Sequence, residues 1–313
     1  MIQARRFALL GASARLANLP SVVCNVWLGL ALAGSVVPPP REVIGLSPWL
    51  LMLAALACYV GGNLLNDWHD RDWDACHRPE RALPRGAFAP GSYLWGGVSS
   101  LACGLVLATL AGPSAATVAG MLVLAVLGYT HWHKTHAGAV FLMGLCRGLL
   151  PLLAVGGLVA TVASEGNQEL FAALMAPAVA LWFYTSGLSL LARGEAAAGA
   201  AADALLPALW PFLGAVLLAG LALWTGASLP LVAGGLAPFL VWTTLALTRF
   251  RRAGRPVPAL LAGFPLLDWV LLLPFGVSLL GHAGVSTFAL VSLLLPPLCF
   301  LAGLALQRLW AAT

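Results

Sequence analysis

Residues 61–86, "GGNLLNDWHDRDWDACHRPERALPRG", carry five of the chain's eleven carboxylates and follow without a break on the apolar run "LSPWLLMLAALACYV". A helix that leaves such a run and enters a knot of aspartates and arginines fixes both the solvent of the fold and the place of its chemistry. The rest of the chain repeats only the apolar half. Of 313 residues, 61% are hydrophobic and 9% charged, with mean hydropathy +0.93; a soluble domain carries about a quarter charged residues. Crossing a hydrocarbon core takes about 20 residues per helix. Candidate spans lie near 20–36, 48–66, 92–112, 115–131, 138–162, 170–192, 204–224, 229–249, 257–281 and 286–307. The fold class is an all-α integral membrane protein, one polytopic bundle of nine to ten transmembrane helices over residues 1–313.

Charge placement gives the orientation. With the N-terminus cytoplasmic, fourteen of the sixteen Lys and Arg residues fall inside, including Arg5, Arg6, Arg15, Lys134, Arg193 and the run "RFRRAGR". Arg41 alone falls outside and Arg147 lies within a span, the pattern of the positive-inside rule with an even number of crossings. The net charge of +5 is therefore topology beside anionic lipid, not a nucleic-acid surface. The basic N-terminus lacks the short apolar core and small-residue site of a cleaved leader. Six cysteines stand singly, with no C-x-x-C, so neither a disulfide framework nor a zinc site follows.

On a helix continuing out of the second span, Asn63, Asn66, Asp67, Asp70 and Asp74 recur at steps of three and four and share one face; Asp72 points elsewhere. Three like charges on one face repel and call for a cation. Carboxylates flanked by amides suit a hard ion such as Mg2+, which typically joins carboxylates to substrate phosphates. Arg71, Arg78, Arg81 and Arg85 follow at once, and a guanidinium fork matches phosphate oxygens. The chemistry is that of a metal-bridged diphosphate site at the cytoplasmic interface. The competing reading, a solvated loop of surface ion pairs, has to explain why the acids keep helical spacing.

Asn66, Asp67, Asp70 and Asp74 reproduce the N-D-x-x-D-x-x-x-D signature of the UbiA superfamily of intramembrane prenyltransferases, and "CHRPERALPRG" resembles its continuation. "RLANLPSVVCNVWLG" is similar to that family's first helix, and "YTHWHKTHAG" resembles its segment between the fourth and fifth helices. The resemblance implies a helical fold with a large lateral cavity and Mg2+ bridging Asp67, Asp70 and Asp74 to an isoprenyl diphosphate. It also implies Asn25 in the pocket, Tyr129 and Lys134 at the diphosphate, and a hydrophobic acceptor, aromatic or lipid-like, that captures an allylic cation. The expected home is a bacterial inner membrane.

The second acidic motif of that superfamily is missing. Its place reads "YTSGLSLLARGEAAAGAAADALLP", where Glu195 is the only nearby acid and Asp203 comes eight residues later. Either Glu195 and Arg193 form a divergent second half-site, the arginine supplying charge that a second metal would bring, or the chain only binds or moves a prenyl lipid. "LARGE" and "MGLCRG" resemble an EboC-like branch found in secondary-metabolite clusters, which points away from quinone and haem roles.

Two further features carry alternatives. Arg147 stands about nine residues into its span, where an unpaired arginine costs at least ~2.5–3.5 kcal/mol. It either faces a substrate carboxylate or phosphate, or pairs with Asp268, an acid also stranded in a span; the two readings are compatible. In "HWHKTH", His133 and His136 stand one turn apart, as in some transition-metal sites, but a cytoplasmic loop whose Lys134 reaches a phosphate explains the segment better.

Overall fold

The computed structural model describes residues 2–36, 46–197, 205–250, 256–283 and 286–310. Helix α1 (Ile2–Ser13) turns through Arg15, whose φ of 49° is left-handed, into a short 3-10 turn (Leu16–Asn18). The bundle then runs α2 (Leu19–Val36), α3 (Leu46–His77), α4 (Pro90–Ala111), α5 (Pro113–Trp132), α6 (Ala139–Ser164), α7 (Gln168–Ala197), α8 (Leu205–Trp224) and α9 (Leu229–Leu245). A π-turn (Ala246–Phe250), α10 (Pro256–Ala262), α11 (Phe264–Ala283) and α12 (Thr287–Gln307) complete it.

Among the described residues, nine helical stretches are long and apolar enough to cross a membrane, and Ala208–Trp224 is a shorter apolar helix. The protein is an integral membrane protein. Each expected span has its helix, with two differences. Helix α3 reaches eleven residues past the expected end at 66, because the acidic face extends the same helix. The span near 257–281 is broken at Gly263, where a Cβ would stand 2.6 Å from the Tyr184 hydroxyl.

Prolines near helix starts (Pro90 and Pro113) use the position where no N–H is needed, and Gly112 (φ 146°) permits the abrupt α4–α5 turn. The core falls into two halves, one around α3–α6 and one around α7–α11, and α2 belongs to both. Small residues allow this contact, as expected where lipid supplies no hydrophobic drive between helices. At Gly29 a Cβ would lie 2.1 Å from the Pro151 carbonyl oxygen, and at Gly148 one would lie 2.7 Å from that of Ala178. These approaches bring α2 against α6 and α6 against α7. As a result Asn25, Arg147 and Asp268 meet in the centre, while the ends of α3, α5 and α7 share one face of the bundle.

Candidate active site

The acidic face forms as its spacing requires. Asp67, Asp70 and Asp74 are 7%, 5% and 1% exposed, with Asn63 and Asn66 buried beside them. Asp72 is exposed and, among the described residues, pairs only with Arg71, at 3.5 Å. The loop after α3 folds back on this face through short turns, including Ala87 N–H to the Ala82 carbonyl at 3.0 Å. Arg6 on α1 holds the loop by donating to the Ala87 carbonyl at 3.0 Å. Arg81 thereby donates to Asp74 Oδ2 at 2.8 Å and to Asp67 Oδ1 at 3.4 Å. Arg78 instead lies over the Trp73 ring, 5.6 Å away, and Arg85 is exposed; neither reaches the carboxylates.

Helix α5 and the turn after it supply the opposite wall. His133 Nε2 stands 3.0 Å from Asp70 Oδ2, with Nδ1 facing the main-chain carbonyls of Tyr129 and Thr130. Lys134 Nζ is 3.4 Å from the same Asp70 oxygen and 3.6 Å from the centre of the Trp73 ring. Tyr129 stacks on His133 with ring centres 5.0 Å apart. Of the histidines of this segment His133 serves Asp70, while His136 pairs with the Thr135 hydroxyl and His131 packs against Trp132. Among the described residues no group of three or more His, Cys, Asp or Glu side chains forms a metal cluster.

Arg193 donates to the His133 carbonyl. Its guanidinium steadies the turn that carries Lys134. The side chain of Glu195 and the whole of Asp203 lie outside the described residues, so the second half-site expected from Arg193 and Glu195 is drawn here only by the arginine.

A third cation completes the site. Arg15 donates to Asn63 Oδ1 at 2.7 Å and lies 4.0 Å from Asp67. Burial works against its charge, but Asp67 and nearby groups outweigh this and leave the guanidinium above its ordinary value. In the sequence Arg15 reads as one more cytoplasmic anchor. Its function shows only once the left-handed turn aims it inward.

The donor set fits a hard cation. Asn66 Oδ1, Asp70 Oδ1 and Asp74 Oδ1 are buried oxygens without a hydrogen-bond partner, with His69 Nδ1 3.6 Å from Asp70 Oδ1. Buried oxygens normally find a partner, and carboxylate and amide oxygens are Mg2+ ligands by type. Asp67, Asp70 and Asp74 would hold the ion. The unpartnered Oδ1 atoms of Asp70 and Asp74 are not the oxygens that Arg81 and Lys134 engage, which are Asp74 Oδ2, Asp67 Oδ1 and Asp70 Oδ2, although the three carboxylates are not gathered into a ready-made metal cluster.

From this acidic mouth a cavity runs inward between α3, α5 and α6. Arg15, Asn63, Asn66 and Tyr129 line the mouth, Tyr59, Val126 and Arg147 the middle, and Ala55, Leu122 and Leu150 the inner end. Arg147 does not pair with Asp268 directly, as the sequence suggested. It donates to Asn25 Oδ1 and Ser21 Oγ, both at 2.9 Å, and the Asn25 amide donates to Asp268 Oδ2 at 2.7 Å. An amide inserted between the charges corrects that expectation: α2 runs between α6 and α11, so the two meet through its side chains.

Residues 22–250 match the UbiA prenyltransferase family. The chain belongs to this family. Protoheme IX farnesyltransferase 2 of Bacillus subtilis is 27% identical over 251 residues, which are 75% of this chain and 78% of that enzyme. Digeranylgeranylglyceryl phosphate synthase of Thermococcus kodakarensis is 38% identical over 81 residues, 26% of this chain and 27% of that protein; the synthase of Methanothrix thermoacetophila is 31% identical over 47% of this chain and 48% of its own. The matched part is thus about a quarter to a half of these archaeal relatives. A solved structure concerned with digeranylgeranylglyceryl phosphate synthase in membranes superposes with a TM-score of 0.55 at 15% identity, covering 87% of this chain and 97% of that one. At that identity the likeness is one of fold. It covers the UbiA-type helical bundle, and the acidic face lies within the family match.

Proposed function

We propose that this UbiA family member transfers an isoprenyl group from a prenyl diphosphate to a hydrophobic acceptor inside the membrane, with Mg2+ held by Asp67, Asp70 and Asp74. The observation that carries the reading is the junction of two environments: a buried acidic face ringed by Arg15, Arg81 and Lys134, opening into a cavity walled by apolar side chains. When bound, Mg2+ supplies positive charge to the leaving diphosphate.

The chain's own groups do the rest. Lys134 and Arg81 stand where diphosphate oxygens would bind, and Asn63 and Asn66 offer amides beside them. Cleavage of the prenyl C1–O bond sends the electron pair to the diphosphate and leaves an allylic cation. Apolar walls keep water from that cation, and the ring of Tyr129, which lines the cavity at its mouth, stabilises it. The acceptor then bonds to C1 and releases a proton. Arg193 acts through the Lys134 turn rather than on the substrate.

The names of the relatives support prenyl transfer but cover both a haem farnesylation and a glyceryl phosphate lipid, so they do not single out an acceptor. Charge placement supports both termini on the cytoplasmic side. The test is pyrophosphate release from farnesyl or geranylgeranyl diphosphate by protein in nanodiscs. Mg2+-dependent release that Asp67→Asn abolishes supports the transferase. Tight binding of every donor with no release overturns it in favour of a prenyl-lipid binding or transport protein.

A further inference from the structure

Inward of its mouth the cavity holds a cation that prenyl transfer as described does not use. Arg147 is 6% exposed and lines the cavity, yet both hydrogen bonds assigned to it go to uncharged oxygens, Asn25 Oδ1 and Ser21 Oγ. Among the described residues no carboxylate lies within ion-pair distance of it; Asp268 is reached only through the Asn25 amide. Its guanidinium carbon is 4.4 Å from the centre of the Phe264 ring and 5.7 Å from that of Tyr59.

Two other features make this cation notable. A buried charge in a low-dielectric setting ordinarily has a direct counter-ion or a function. A guanidinium also has five N–H donors in a rigid fork, so three remain beyond the two bonds to Asn25 and Ser21. The relay from Asp268 fixes the Asn25 amide so that its oxygen, not its nitrogen, faces Arg147. The arginine is therefore held in place, not merely tolerated.

Resting on the transferase reading above, we infer that Arg147 recognises an oxyanion, carboxylate or phosphate, on the acceptor. Tyr59, beside Arg147, and Asp67, at the mouth, are eight residues apart on α3, or ~12 Å along the axis. With the prenyl diphosphate held at the mouth, as proposed above, an acceptor that reaches Arg147 spans what remains of that distance. Its nucleophilic atom and its oxyanion are thus separated by roughly one ring or a short chain. Asp268 is a positioning residue that acts through Asn25.

Equilibrium dialysis of the full chain in nanodiscs tests this, in EDTA so that no metal can hold an anion at the aspartates. The probes are benzoate, phenyl phosphate and benzyl alcohol, which share a ring and differ in the polar group. Wild type is expected to bind at least one anion at least tenfold more tightly than the alcohol, and the anion that does so shows which oxyanion is read. Arg147→Gln should erase that preference and Arg147→Lys keep part of it. Should Arg147→Gln fail to fold, Met143→Trp and Leu150→Trp, which crowd the same cavity and leave the Ser21–Arg147–Asn25 bonds in place, should lower anion binding tenfold. Equal binding of all three probes by wild type overturns the inference. So does a preference that survives Arg147→Gln, or anion binding unmoved by both crowding variants. Pyrophosphate release is read separately, so failure of the transferase reading shows as no release from any donor, whatever the probes do.

Discussion

Arg193, near the end of α7, donates to the main-chain carbonyl of His133 at the end of α5. This bond fastens the turn whose next residue, Lys134, reaches Asp70 at 3.4 Å. Hydrogen bonds from a charged group are worth about 1.5–3 kcal/mol, so Arg193→Gln should raise the KM for the prenyl diphosphate about tenfold. Arg193→Lys can still donate to the carbonyl and should recover part of this. Because the partner is a main-chain oxygen, the Mg2+ requirement should stay the same. Steady-state pyrophosphate release at graded Mg2+ decides: a rise in the Mg2+ requirement at constant KM would show instead that Arg193 stands in for a metal.

The three buried carboxylates should be separable from their exposed neighbour. Asp67→Asn, Asp70→Asn and Asp74→Asn each remove a charge from the cation-binding face and should lower turnover at least a hundredfold while the protein still inserts. Asp72, its side chain 86% exposed and paired only with Arg71, takes part in a surface pair of the kind worth ~0–1 kcal/mol. Asp72→Asn should stay within twofold of wild type. Equal loss at position 72 would mean that helical spacing does not define the site.

The contact that brings Asn25 to Arg147 depends on a missing side chain. At Gly29 a Cβ would meet the Pro151 carbonyl oxygen at 2.1 Å, whereas at Gly120 a Cβ meets nothing within 4 Å. Gly29→Ala must push α2 from α6 and should cost on the order of 2 kcal/mol or more, as overpacking does. Gly120→Ala should be neutral or stabilising by up to ~1 kcal/mol from helix propensity. Thermal unfolding in detergent, followed by loss of the monodisperse peak, compares the two. A tolerated Gly29→Ala would place the α2–α6 approach elsewhere.

Sidedness follows from charge. Reporter fusions after Gly281 and after Thr313 should report opposite sides of the membrane, with Thr313 cytoplasmic. A periplasmic signal at Thr313 would mean that one helix, with Ala208–Trp224 the shortest apolar candidate, does not cross.

What the sequence revealed was whatever repeats along one helix. The 63–66–67–70–74 spacing is local, so the buried acidic face and the helices that carry it were legible before any coordinates. Arg81 was legible only as one of four arginines, since selecting it over Arg71, Arg78 and Arg85 depends on how the loop between α3 and α4 folds back. The link from Arg147 to Asp268 needed α2 between them, and its Asn25–Asp268 bond spans 243 positions. His133 looked like part of a cytoplasmic loop because its anionic partner, Asp70, is 63 residues away. Arg15 was hidden for a different reason: nothing in "GASARLANLP" announces a left-handed residue.

That last residue offers a separation of stability from function. Arg15 has φ 49°, a region that costs a non-glycine residue roughly 1–2 kcal/mol and that glycine adopts freely. Its side chain meanwhile binds Asn63 at 2.7 Å and approaches Asp67 at 4.0 Å. Arg15→Ala loses the contacts and keeps the strain, so it should be the least stable variant. Arg15→Gly loses the same contacts but relieves the backbone, and it should melt closer to wild type than Arg15→Ala, by a margin of about 1 kcal/mol. Both should bind a non-hydrolysable prenyl diphosphate analogue at least tenfold more weakly, because each leaves Asp67 without one of its two cations. Arg15→Lys keeps the charge but not the fork, and it should fall between wild type and Arg15→Ala in binding. Melting curves and analogue titrations on the same four proteins check the pattern. If Arg15→Gly restores binding along with stability, the arginine is needed only to shape the turn; if stability and binding fall together in Ala and Gly alike, the left-handed backbone is not what the side chain holds in place.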